Sequence, residues 1–123
     1  MSMMKHTQKC LHRAYVTVTG SFAPNGTNAV VAASNKGVGF SVARTSAGLF
    51  TLTFADKHYD LISFVAGLRL ASADDKCLVG GVYVAASKTL TITVWDKSGA
   101  AATDIAVNAN NRISFKCEFQ YAG

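Results

Sequence analysis

From Arg112 to Tyr121 the side chains alternate without a break. Ile113, Phe115, Cys117, Phe119 and Tyr121 are apolar, and Arg112, Ser114, Lys116, Glu118 and Gln120 between them are polar. A period of two sends one set to a core and the other to solvent or a partner, so this stretch predicts a β-strand. The same reading predicts strands over residues 14–19, 38–44, 49–54, 61–70, 77–84 and 90–95. Thr45-Ser46-Ala47-Gly48 and Ser87-Lys88 join two pairs of these as hairpins, and Ala73-Asp74-Asp75-Lys76 marks a further turn. Gly80-Gly81 falls inside a strand pattern, where it predicts a bulge or a close backbone contact. Between 21 and 37, Pro24-Asn25-Gly26 and Ser34-Asn35-Lys36-Gly37 bracket an apolar stretch, a long connection with room for a short strand.

One segment departs from this rhythm. Residues 96–111 form a long connection before the last strand, with an Ala-rich middle that predicts a helical turn or two capped by Ser98. A connection of this length is either a crossover packed on the sheet or a binding loop, and the two are compatible. Short strands joined mostly by tight turns, with little helix, predict an all-β chain: an antiparallel β-sandwich or a jelly-roll-like fold. Residues 1–13 are polar and basic and read as a flexible N-terminal arm, and 14–123 as a single domain.

Composition sharpens this picture. Of 123 residues, half are hydrophobic and only 15% are charged, below the roughly 25% usual for soluble domains. A surface so poor in charge points to contact with something other than water. The net charge of +5 comes entirely from the first half: no acid precedes Asp56, while Lys5, Lys9, Arg13, Lys36 and Arg44 are basic. Such a balance suits an acidic partner surface, but it lacks the run of Lys and Arg that marks a nucleic-acid arm. Cys10, Cys77 and Cys117 make an odd count without close pairs, so reduced, buried thiols are expected rather than a disulfide framework. No stretch reads as a signal peptide or a membrane span, which places the protein in the cytoplasm when made.

Candidate chemistry is sparse. His6, Cys10 and His12 lack the second close pair that a structural zinc site needs. His58, Asp60 and Ser63 have the residue types of a nucleophilic site, without an elbow or oxyanion motif, and read better as a solvated turn. Asp74-Asp75 is too few ligands for Ca²⁺. The sequence therefore predicts no catalytic, cofactor or metal residue, and no cofactor. Thr17 and Thr19, Thr51 and Thr53, and Thr91 and Thr93 stand at every-other positions on three strands. Side by side they would make a flat, weakly charged surface for another protein; a plain solvent face is the other reading. The candidate contact residues are Lys5, Lys9 and Arg13 in the arm, and Asn108, Asn110, Asn111 and Arg112 at the end of the long connection.

Two stretches form a recognisable set. One is GVGFSVARTSAG over 37–48 running into LFTLTFADK over 49–57. The other is KTLTITVWDKSGAA over 88–101, continuing through Asp104-Ile105-Ala106 to Asn108-Ala109-Asn110-Asn111-Arg112-Ile113. Over residues 37 to 119 the chain resembles jelly-roll capsid decoration (cement) proteins of tailed bacteriophages. That resemblance implies a non-enzymatic virion protein on the capsid exterior, assembled in the host cytoplasm, which stabilises contacts between capsomers. Its expected partners are the major capsid protein and copies of itself, as dimer or trimer, with no membrane and no nucleic acid. The alternative is a β-sandwich module of a phage tail, baseplate or fibre, with carbohydrate as its ligand.

Overall fold

The computed structural model describes residues 15–55, 60–72 and 74–120, and the predicted arm over 1–13 lies outside them. The described residues form nine strands, in chain order β1 (Tyr15–Phe22), β2 (Lys36–Gly37), β3 (Phe40–Ser46), β4 (Leu49–Phe54), β5 (Asp60–Arg69), β6 (Lys76–Val84), β7 (Thr89–Asp96), β8 (Ala101–Ala102) and β9 (Arg112–Gln120). They make two antiparallel sheets, the first ordered β2-β1-β9-β5 and the second β3-β4-β7-β6, with β8 paired to the end of β7. The chain is an all-β sandwich, as its alternation predicts.

Its connections follow from two tight turns. Ala47 and Gly48 alone separate β3 from β4, and residues 85–88 separate β6 from β7, so each pair must lie within one sheet. A jelly roll instead carries most successive strands to alternate sheets. Among the long strands, the neighbour orders β3-β4-β7-β6 and β5-β9-β1 are those of an immunoglobulin-type sandwich whose last strand stands first in the chain. Tyr15 accordingly sits opposite Gln120, where such a sandwich would have a hairpin.

The core lies between the sheets. Ile113, Phe115, Cys117 and Phe119 of β9 face Phe50, Leu52 and Phe54 of β4 and Leu90, Ile92 and Val94 of β7, all buried. Phe119 packs edge-on against Phe54 at 4.9 Å and tilted against Tyr83 at 5.6 Å, geometries that suit the ring quadrupoles. Cys117 is fully buried, and desolvation pushes its thiol up to about 12. Cys77 differs from the buried thiol expected of it: it pairs with Trp95 on the outer side of the second sheet and is half-buried. Gly80 makes the bulge in β6, and a Cβ on Gly81 would meet Phe64 at 3.0 Å, so both readings of that dipeptide hold.

The long connection is a crossover. In place of the expected helical turn, the Asp96 carboxylate accepts hydrogen bonds from the Ser98 amide and hydroxyl and from the Gly99 amide, which closes a turn before β8. Beyond β8 the Thr103 amide donates to Val94 at 3.0 Å, and Ile105 is buried. Asp104 takes a two-pronged ion pair from Arg44, with Nε donating at 2.9 Å and Nη2 at 2.8 Å, and also accepts from the Gly48 amide at 2.9 Å. The Arg44 hydrogen bond holds the Asp104 carboxyl below its ordinary 3.8, against the opposing effect of burial.

A depressed carboxylate pKa contributes stability above its unfolded value, and the contribution disappears as pH falls through the folded value. Asp104→Asn should therefore lower the melting temperature at pH 7 by roughly 5–10 °C, the scale of one or two charge-assisted hydrogen bonds in a domain of this size. The gap between variant and wild type should shrink steadily below about pH 4. A gap equally wide at pH 7 and pH 3 would contradict this account of the crossover.

Candidate functional site: the uncharged face of the second sheet

Antiparallel register places directly opposed residues on the same face. On the outside of the second sheet this brings together Ser41 with Thr53, Ala43 with Thr51, Thr51 with Thr91, and Thr53 with Thr89. Across β7 the same face continues with Val79 opposite Thr93, Val82 opposite Thr91, Val84 opposite Thr89, and Cys77 opposite Trp95. None of the side chains so placed is charged. The Thr51 and Thr91 hydroxyls lie 3.4 Å apart at the centre. Along β6, an edge strand, Val79, Val82 and Val84 are 45%, 67% and 46% exposed, and Trp95 on β7 is 37% exposed.

β-Branched residues explain both the strand and the surface. Threonine and valine fit the pleat whether or not a second layer covers them. Their hydroxyl and methyl groups are short, so the face is flat and carries little side-chain entropy to lose on contact. Four strands about 4.8 Å apart and five residues about 3.4 Å apart give roughly 300 Å², the size of a functional patch on a monomer. That is less than half of the roughly 800 Å² that each partner contributes to a stand-alone interface. Such a face suits contact repeated over many copies, each weak by itself.

Two of the three threonine pairs meet here. Thr17 and Thr19 do not, because β1 belongs to the first sheet and carries them on the opposite side of the sandwich. Lys5, Lys9 and Arg13 lie outside the described residues. Asn108 and Asn110 are exposed in the turn before β9, where the Asn108 side chain accepts from the Asn110 amide at 2.9 Å. Asn111 is buried and locks the crossover: its Oδ1 accepts from the Ala71 amide at 2.7 Å and its Nδ2 donates to the Ala106 carbonyl at 2.9 Å. Arg112 projects from the outer face of the first sheet and donates to the Ser21 hydroxyl at 2.9 Å and the Ser34 carbonyl at 2.7 Å. These four residues thus do not gather into one contact site.

The margin of valines and Trp95 is not among the contact residues that the sequence alone suggests. Its signal there is faint: Val82 and Val84 stand at every-other positions, and Val79 joins their row only through the bulge at Gly80. His6, Cys10, His12 and His58 lie outside the described residues. Asp60 and Ser63 stand on the outer face of the first sheet, opposite Gln120 and Glu118, and Asp74 pairs with Lys76 at 2.9 Å. Among the described residues no group of three His, Cys, Asp or Glu side chains could hold a metal ion, and no helix is long and apolar enough to cross a membrane.

No protein-family model, no curated protein and no solved structure matches the chain.

Proposed function

We propose that this protein is a non-enzymatic structural component of a tailed-phage virion, bound to the outside of the capsid and stabilising contacts between capsomers. The observation that carries this reading is the uncharged face of the second sheet, flat, framed by exposed valines and Trp95, and too small to hold a partner firmly by a single contact. A shell presents the same site many times over, and multivalent placement turns modest contacts into stable attachment. The resemblance of residues 37 to 119 to decoration proteins lies in the sequence and does not extend to jelly-roll connections, and the partners it implies are the major capsid protein and further copies of this chain.

The test is addition of the purified protein to undecorated shells assembled from the major capsid protein of a tailed phage. Sedimentation should show saturable uptake at a fixed ratio to capsid subunits, and decorated shells should withstand higher temperature than bare ones. Failure to co-sediment, together with saturable binding on a glycan array, would replace this reading with that of a tail or fibre module.

A further inference from the structure

The outer face of the first sheet carries a trough of about 630 Å³ that runs across its strands. One wall is the row Val65, Lys116 and Thr19; the floor is the row Gly67, Ser114 and Ser21. Arg69 and Arg112, opposite each other on β5 and β9, stand one row beyond this floor on the same face, with Lys36 beside Ser21. A second hollow of about 320 Å³ opens between these three cations. Among the described residues no acid lines either hollow. Glu118 and Asp60 occupy the same face, but beyond the Lys116 wall.

Gly67 has no reason for being glycine inside the fold. Its φ lies outside the positive region, and a Cβ there would meet only the Ser114 hydroxyl, at an ordinary 3.4 Å. By contrast, a Cβ on Gly20 would strike the Phe40 ring at 2.3 Å, and one on Gly81 would press on Phe64 and Leu90. A glycine in mid-strand weakens the strand and often marks close approach by something outside it. The guanidinium groups above the floor are already held in place: Arg112 by Ser21 and Ser34, and Arg69 by the Asn110 carbonyl at 3.2 Å. Those contacts leave Nη1 of Arg112 and both terminal nitrogens of Arg69 out of use among the described residues. Fixed forks of this kind bind carboxylates with little further ordering.

We infer that this trough and the hollow beside it bind an extended, acidic segment of another protein, with its backbone over Gly67 and its carboxylates on Lys116 at one side and on Arg69 and Arg112 at the other. Four strands set the length at about 14 Å, enough for four or five extended residues. Successive side chains of an extended chain point to opposite sides, so neighbouring acids reach Lys116 on one side and Arg69 and Arg112 on the other. Glu118 and Asp60 repel the ligand from the remaining part of the face. A protein segment is favoured over single-stranded nucleic acid because the lining offers no exposed ring for base stacking: Phe115, its one aromatic residue, is buried. This site is independent of the second-sheet face and of the capsid reading.

The test is an NMR titration of the ¹⁵N-labelled full chain with a glutamate-rich peptide of about six residues, long enough to cross the sheet. Parallel titrations use its lysine counterpart, an oligothymidylate of equal charge, acetate and inorganic phosphate. Only the acidic peptide should give saturable shifts at the Gly67, Ser114 and Ser21 amides, weakening as salt rises. Gly67→Val should weaken binding about ten-fold or more by filling the floor, with the melting temperature unchanged or higher because a mid-strand glycine is gone. Arg69→Ala should weaken it by about the same factor through loss of a charge-assisted contact. Absence of saturable shifts up to about 1 mM peptide, equal or tighter binding of the oligothymidylate, or wild-type affinity in Gly67→Val would each overturn the proposal.

Discussion

Val82→Glu and Val82→Lys should both lose attachment to shells, each by about 100-fold or more, while their melting temperatures stay within about 3 °C of wild type. The fold tolerates either change because Val82 is 67% exposed on an edge strand and has solvent in front of it in the free protein. Attachment does not, because contact would bury a charge on a face that offers it no partner. An uncompensated buried charge costs several kcal/mol, and each 1.4 kcal/mol is about a factor of ten. The use of both signs separates two explanations. If burial of the apolar face drives docking, glutamate and lysine fail alike, and Val82→Thr, which keeps the shape and adds only a hydroxyl, retains most of the binding. If long-range charge drives it, one sign fails and the other binds better. Co-sedimentation of the three variants with undecorated shells distinguishes these outcomes, and equal binding by all of them would remove this face from the interface.

Gly48→Ala is the substitution expected to damage the fold most for its size. Gly48 sits at φ 73°, and a Cβ there would lie 2.6 Å from both the amide nitrogen and the carbonyl oxygen of Thr103 and 2.8 Å from the Val94 carbonyl. These are backbone atoms of β7 and the crossover, which cannot swing aside as a side-chain tip would. Relief requires moving the crossover, and with it the bonds from Thr103 to Val94, from Val94 to Gly48 and from Gly48 to Asp104. Left-handed strain of about 1–2 kcal/mol and the loss of two or three hydrogen bonds at about 1 kcal/mol each give roughly 3–5 kcal/mol in all. That is a large part of the roughly 5–15 kcal/mol typical of a whole domain. Gly26→Ala is the matched control: its φ is also positive, at 61°, but its Cβ would touch only a Val107 methyl at 3.5 Å. Urea denaturation should show the control destabilised by about 1 kcal/mol. A Gly48→Ala cost no larger than that would mean the crossover packs less tightly on the turn than described.

Much of the fold is legible in the sequence because alternation is a local property. β9, the β3–β4 hairpin and the β6–β7 hairpin each announce themselves within a short stretch of chain, and their bounds fall close to those expected. What alternation cannot convey is which sheet a strand joins. Thr17 and Thr19 have the same pattern as Thr51 and Thr53, yet register with Glu118 and Lys116 puts them on the other side of the molecule. The trough is hidden for the same reason, since Gly67, Ser114 and Ser21 meet only once β5, β9 and β1 are aligned. In the crossover, alanine content points to a helical turn because it carries no information about the anchors at either side. Arg44 offers a clue to one of them: it continues the inward series Phe40 and Val42, and a charge on that side of a strand demands a partner. The partner is Asp104, far along the chain and invisible to any local pattern.

On the proposed function, the outer face of the second sheet is the surface that meets other protein. Electron microscopy of decorated shells at side-chain detail tests it most directly. The predicted image has β4, β7 and β6 laid against the capsid, with Val82 and Trp95 covered. A particle that presents this face to solvent, while another side of the sandwich grips the shell, would contradict it.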